Sequence, residues 1–395
     1  MDATYRDGGS PNNDTMYSIT WAYVKEEPLI ISVPNVGTIP GTDEPRYFNF
    51  QLSGFDSDNF AYIGTRTTGN QGGHYAITPP RWQGRLPENV ERLTDAPTPW
   101  IFIVGRTMVT GPEDIPVVRQ IQARYKLTTL GEWGKEHSKR PFSPEIRAVA
   151  DLREEPRKAI DSYWSVVNEA LSENPPDEID GPIITLFQDI EVGPGRDVSR
   201  LSPAMGDGMQ RAAMRGLQIL RAANESNYGA KLVNGWTYLP HSMGRAGKEG
   251  DFLLRAAVQS LGGIVANDPE EAVYLVVMVD GNGDRLNGKN RYRLRFAKEN
   301  LPVAKAFWSV TMYDMTRNLT SNDLDRYSLG DRSRGLKYDQ DGGLTLYFSH
   351  RSPAKENMGN WLPAPDDQFY CILRAYLPSQ AIVDQTWEPS PLQKY

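Results

Sequence analysis

The run Pro11-Asn12-Asn13-Asp14-Thr15-Met16-Tyr17-Ser18 brings amides, a carboxylate, hydroxyls and a phenol into one short stretch. Such a set can line a polar site. It can equally form Asx and Ser/Thr turns leading into a strand, which is the commoner fate. Arg66 and Arg106 lie within or at the end of apolar strands, and Arg374 sits inside the run Tyr370–Leu377. A guanidinium at a buried strand position demands an anionic or carbonyl partner. A nearby Asp would meet that demand structurally, whereas converging arginines would capture a ligand's carboxylate or phosphate. Asp14, Asp314 and Asp341 are the carboxylates most readily brought to such a pocket, where two with separated pKa values can serve as acid and base. In the resulting scheme Asp14 or Asp314 is the base and Tyr17 or Tyr313 donates a hydrogen bond. Arg66 or Arg106 orients an anionic group, Asn13, Thr15 and Arg374 add contacts, and Trp308 and Trp361 wall the pocket.

Other chemistries have less to stand on. There is no Gly-rich phosphate loop ending in Lys-Ser/Thr, no GxSxG elbow and no paired CxxC. His74, His137, His241 and His350 are scattered; three of them meeting at a metal is outweighed by ordinary strand or loop roles, so no metal and no organic cofactor is expected. Asp280-Gly281-Asn282-Gly283-Asp284 resembles the start of a calcium loop, but Arg285 and Arg291 stand where Gly and Glu are required, and a turn between Val279 and Tyr292 reads better. Cys371, alone in FYCIL, reads as a small buried hydrophobe. The Asn-x-Ser/Thr tripeptides at Asn13, Asn224 and Asn318 are a pattern that arises often by chance.

The elements that must position these residues are mostly strands. Residues 1–12 read as a polar arm or loop. Pro28–Val33, Arg46–Leu52, Ala61–Thr68, His74–Thr78 and Trp100–Val109 then follow one another, separated by Gly, Pro and Asp clusters. In Arg46–Leu52 the alternation puts Phe48, Phe50 and Leu52 on one face. Turn signals at this spacing point to a sandwich or jelly roll, and a helix of about three turns follows Gly111-Pro112, carrying Ile115, Val118 and Ile121. Helical periodicity takes over at Ile160–Leu171 and Met209–Leu220, with Ile183–Phe187 between, so residues 131–229 read as a helical connector with some strand content. A helix over Asp251–Val265 precedes further strands at Ala272–Val279, Arg291–Phe296, Ala306–Tyr313, Leu344–Ser349 and Phe369–Leu377. Arg291–Phe296 turns Tyr292, Leu294 and Phe296 one way and three arginines the other, a strand with one wet face. The fold class is therefore mainly β with α: two β-sandwich or jelly-roll-like domains, residues 1–130 and 230–395, joined by the helical connector.

At 395 residues, with 39% hydrophobic and 24% charged residues, the chain has a globular composition and length for two or three domains. The formal charge is -7 without a long basic run, so nucleic acid has no electrostatic footprint. No apolar stretch approaches the ~20 residues needed to span a bilayer. The first residues lack the apolar core of a signal peptide, so the chain is expected to be soluble with its compartment open.

The motifs PNNDTMYS, EPLIISVPN, RYFNFQL, YIGTRTTG and IVGRTMVTGPED resemble the family known as domain of unknown function 1254. YRLRFAKENLPVAKAFWSVTMYD, DGGLTLYF, NWLPAP and FYCILRAYLP resemble domain of unknown function 1214. Together the motifs cover residues 11–130 and 230–390. The resemblance implies the paired sandwiches with helices between and around them, and places Asn13, Asp14, Thr15, Arg66, Arg106, Trp308, Tyr313, Asp314, Trp361 and Arg374 in family motifs. It implies no activity. Many relatives are exported behind a leader, and this chain is expected to depart from them in lacking one and in lacking the helical region that often precedes the asparagine–aspartate motif. The functional expectation is a cofactor-independent enzyme or enzyme-like binder of a polar or anionic small molecule, hydrolysis leading. The competing one is a non-catalytic assembly protein, in which the arginines and carboxylates are internal ion pairs and a homo-oligomer forms.

Overall fold

Two sandwiches account for nearly all the strands of the computed structural model, which describes residues 2–6, 9–135, 156–262 and 266–395. In the N-terminal sandwich, β1 (Thr15–Tyr23), β7 (Trp100–Met108), β3 (Phe48–Gly54) and β4 (Asn59–Gly64) form one antiparallel sheet in that order. The second sheet runs β6 (Glu91–Asp95), β5 (Gly73–Thr78), β2 (Leu29–Val33), β8 (Lys126–Thr129), with β5 and β6 parallel. Phe48, Phe50, Leu52, Ile101 and Ile103 of the first sheet pack on Leu29, Ile31, Val33 and Ile77 of the second. Gly105 makes room in this core, because a Cβ there would come within 2.5 Å of the Phe50 ring.

The C-terminal sandwich repeats the plan with longer strands. Its six-stranded sheet runs β14 (Ser328–Gly330), β13 (Ala304–Asp314), β17 (Phe369–Pro378), β11 (Ala272–Val277), β10 (Trp236–Tyr238), β9 (Lys231–Val233). The facing sheet runs β16 (Trp361–Pro363), β15 (Leu344–Ser349), β12 (Tyr292–Phe296), β18 (Gln393–Lys394). Tyr292, Leu294 and Phe296 are buried while Arg293 and Arg295 are exposed, the wet face that alternation implied. The core between the sheets also takes Trp308, Val310, Met312, Cys371, Leu373 and Ala375.

The helices are α1 (Ile115–Gln122), α2 (Pro156–Glu173), α3 (Gly181–Leu186), α4 (Pro203–Glu225), α5 (Phe252–Ala257) and α6 (Gln380–Val383). Ser202 caps α4 by accepting from the Met205 amide, with Pro203 pre-set in the first turn. Asp251 caps α5 through the Leu254 amide, and α5 continues as a π-helical turn over Val258–Gly262. The C-terminal part of the expected 251–265 helix lies outside the described residues. One expectation is corrected: Ile183–Phe187 falls in and just after α3, so among the described residues the connector is helical without strands. The turn at Asp280–Asp284 is present, closed by a bridge between Val279 and Arg285.

The sandwiches meet through the outer faces of the β1–β7–β3–β4 sheet and the six-stranded sheet. Tyr47, Met108, Ala272, Phe307 and Tyr376 form a shared apolar cluster. Around it, Glu271 accepts from the Tyr47 hydroxyl (2.6 Å) and pairs with Arg66 (2.7 Å), while Gln51 and Asn59 both donate to the Ala266 carbonyl. The N-terminal arm crosses to the other sandwich, where the Tyr313 hydroxyl donates to the Pro11 carbonyl and Ser10 bonds the Tyr370 hydroxyl.

Candidate functional site

Where the two outer faces separate, they leave a cavity of about 1100 Å³. Strand register explains its polar end. On the N-terminal side, Tyr17 of β1, Arg106 of β7 and Asn49 of β3 stand in one cross-strand row. On the C-terminal side, Tyr274 of β11, Arg374 of β17 and Ser309 of β13 form another. Because side chains alternate across each sheet, the apolar neighbours of these residues fill the sandwich cores and the arginines must project outward into the gap.

Both guanidiniums are buried, Arg106 at 3% and Arg374 at 4% exposure, and among the described residues neither has a carboxylate partner within ion-pair distance. Arg106 Nη1 donates to Gln51 Oε1 (2.8 Å) and Asn267 Oδ1 (3.2 Å), and its guanidinium lies 5.5 Å from the Tyr17 ring centre. Arg374 Nη2 donates to the Ser10 carbonyl at 3.0 Å, its guanidinium is 5.5 Å from the Tyr313 ring centre, and Nη1 has no hydrogen-bond partner among the described residues. Burial opposes the charge on both. The surrounding tyrosines outweigh it and shift both guanidiniums upward, Tyr17 and Tyr376 acting on both, and the Asp14 carboxylate adds to the effect on Arg374. An arginine stays protonated under such conditions, so each site holds a dehydrated cation.

Two phenols complete the cluster. Asn12 Nδ2 donates to the Tyr376 oxygen at 2.6 Å, and Asn267 Nδ2 donates to the Tyr274 oxygen at 2.7 Å. Each oxygen is thus engaged as an acceptor, which leaves its proton to donate. Burial pushes Tyr274 and Tyr376 above the ordinary tyrosine range, against the opposing pull of the arginines, and both are neutral hydroxyls at pH 7. Arg106, Arg374, Tyr17, Tyr274, Tyr376 and Asn12 all line the cavity.

The structure brings Tyr17, Arg106 and Arg374 together at this cavity and places the other expected residues around or away from it. Asp14 is buried beside it, accepting from Ser309 Oγ (2.6 Å) and lying 3.4 Å from Arg332. Thr15 is buried and accepts from Asn12, whereas Asn13 Oδ1 is buried without a partner among the described residues. Asp314 ends β13, and its Oδ1 accepts from Thr316 and Asn318 in the turn that follows. The Tyr313 hydroxyl is spent on Pro11. Arg66 follows β4 in a turn and belongs to the Glu271 pair. Trp308 faces the C-terminal core, and Trp361 donates to the Ser349 carbonyl in the far sheet. Asp341 lies on the exposed side of that sheet with Arg295. Asn12 belongs to the polar run that opened the sequence reading, whereas Asn267, Tyr274 and Tyr376 did not stand out, yet alternation in FYCILRAYLP puts Tyr376 on the Arg374 face, and that signal was available.

Residues 1–129 match the family model described as a protein of unknown function, DUF1254, and residues 271–380 match that of DUF1214. The chain carries these two domains in that order. Its fold is similar to that of the VPA0106 protein from Vibrio parahaemolyticus, with TM-score 0.76 and 26% identity over 98% of this chain and 90% of that one. A second solved structure, an uncharacterized protein from Burkholderia cenocepacia, gives TM-score 0.46 and 13% identity over 98% of this chain and 77% of that one. No curated protein matches the chain.

Proposed function

We propose that this protein binds a small organic anion between its sandwiches, with Arg106 and Arg374 gripping the charged group and Tyr274 and Tyr376 donating to it. The observation that carries this reading is the pair of buried guanidiniums lacking carboxylate partners among the described residues, both bordering one cavity. A protein that kept these cations only for stability would gain by pairing them, as it does with Arg46 and Asp114. The finer expectation, hydrolysis with Asp14 or Asp314 as base, needs a carboxylate facing the cavity. Neither lines it, and Asp14 is committed to Ser309 and Arg332. Binding is therefore the better-supported reading.

The test is thermal unfolding of the intact protein in formate, acetate, benzoate and phosphate, with Arg106→Gln and Arg374→Gln beside the wild type. A bound anion at a hundredfold its Kd stabilises by about 2.7 kcal/mol. At least one anion is expected to raise the wild-type Tm well beyond an equal concentration of chloride, and both variants to lose that rise. Equal responses in wild type and variants would refute the assignment.

A further inference from the structure

We infer that the anion is a straight-chain aliphatic carboxylate, a ligand with a charged head and an unbranched apolar body; this rests on the anion-binding reading above. Beside the arginines the lining includes an aliphatic stretch, and Arg285, Arg317 and Tyr370 border the cavity beyond it. Along β17, the residue facing the cavity changes from Arg374 to Ile372, and along β11 from Tyr274 to Val276, the two pairs being in register. The Ile372 row continues onto Thr237 of β10 through Val276, and Met278 lies one step further along the same face. From Tyr274 to Met278 is four residues, a run of about 13 Å at the rise of a β-strand.

The opposite wall has matching character. Leu254, Ala257, Val258 and Leu261 all border the cavity. Their i, i+3, i+4, i+7 spacing is a single helical stripe, carried from α5 into the π-helical turn. An apolar stripe is normally spent on packing, but Val258, Leu261, Val276 and Met278 are each only half-buried. Their remaining surface borders the cavity. The apolar stretch thus lies between a strand pair and a helix, and begins beside the arginines.

The shape and chemistry of this stretch select the body of the ligand. Ile372, Val276 and the helical stripe are aliphatic, and the ring beside them, Tyr370, is already stacked on Tyr313, so the surface offered to an apolar body is mostly aliphatic. The linear order of rows along the strands suits an unbranched chain, and the flexible Met278 side chain can adjust to its length. The head would meet guanidiniums that need a counter-charge, and the chain would cover the half-buried stripe.

The experiment is calorimetric titration of the intact protein with acetate, hexanoate, octanoate and decanoate, with decanol as the neutral control. Affinity is expected to rise by about fourfold per added methylene until the apolar stretch is filled, with decanol far weaker than decanoate. Val276→Thr, which keeps strand shape, is expected to flatten the dependence on chain length. Leu261→Ser, on the helical wall, should do the same and guards against a folding defect in the strand variant. Arg374→Gln should weaken every carboxylate and leave the slope. If acetate bound and longer acids bound no tighter, the aliphatic class would be wrong and the anion site would stand. If no carboxylate bound, or decanol matched decanoate, the arginine reading itself would fall with it.

Discussion

Replacing two buried arginines by methionine separates a cation kept for structure from one kept for a ligand. Arg46 and Asp114 are both 1% exposed in their side chains and bonded twice, at 2.6 and 2.9 Å, with Arg46 also donating to the Met108 carbonyl. Arg46→Met leaves Asp114 as an uncompensated buried charge with only the Thr110 amide and hydroxyl to solvate it. Breaking such a pair costs about 3–5 kcal/mol. Arg374→Met gives the opposite balance. It removes one charge-assisted bond to Ser10, about 1.5–3 kcal/mol, and a cation–π contact of about 1 kcal/mol. Against these stands the relief of a dehydrated charge, several kcal/mol. The net change for Arg374→Met is therefore near zero or mildly stabilising, and the two variants differ by at least about 3 kcal/mol. For sandwiches of this size that is a separation of about 6–12 °C in Tm. Scanning calorimetry of wild type and both variants, with and without an anion that raises the wild-type Tm, reads it directly. Anion stabilisation should vanish in Arg374→Met and persist in Arg46→Met. Comparable destabilisation by both substitutions would show that Arg374 is a structural residue and refute the reasoning.

Two further predictions concern groups around the site. Burial, with the nearby Asp14 charge, pushes Asp331 up to about 6, although Arg332 and the Trp308 amide pull the other way. Its folded value exceeds the unfolded one, so its contribution to stability is complete below about pH 4 and is lost as pH rises through about 6. Asp331→Asn, which mimics the neutral acid, should be more stable than wild type at pH 7.5 by on the order of 2 kcal/mol and indistinguishable at pH 4; a pH-independent difference in Tm would contradict this. Glu271→Ala should cost about 3 kcal/mol, because the fully buried Tyr47 hydroxyl loses its acceptor and Arg66 its counter-charge. As Glu271 joins the sandwiches, calorimetry should show the unfolding transition broaden or split, and an unchanged single transition would argue against that coupling role.

Much of the fold was legible because most strands have one face in a core and one face elsewhere. Arg291–Phe296 was the plainest case, with every second residue charged. Strand β1 was hard to see because its core-side residues, Met16, Ser18, Thr20 and Ala22, are mostly small or polar, while Ile19 and Trp21 on the opposite face are exposed. Strands β6 and β8 are sheet edges, and β9, β14 and β18 are two or three residues long, too short for a period to register. At the site, Arg106 and Arg374 were conspicuous as charges in apolar runs. The tryptophans misled because β13 is buried on both faces over Phe307–Tyr313, so no polar phase tells which side Trp308 takes. Asp314 was drawn in by its motif, but a carboxylate at a strand end commonly closes a turn, and this one does.

The arm that crosses between the sandwiches has a consequence for how the protein is made. Ser10 and Asn12 leave the ribosome 360 to 364 residues ahead of their seats at Tyr370, Arg374 and Tyr376. The first sandwich can mature during synthesis, but the segment that leads into it lacks these seats until β17 has been made. A nascent chain stalled before β17 would lack Arg374 and Tyr376, so the proposed anion site takes shape only once that strand is in place.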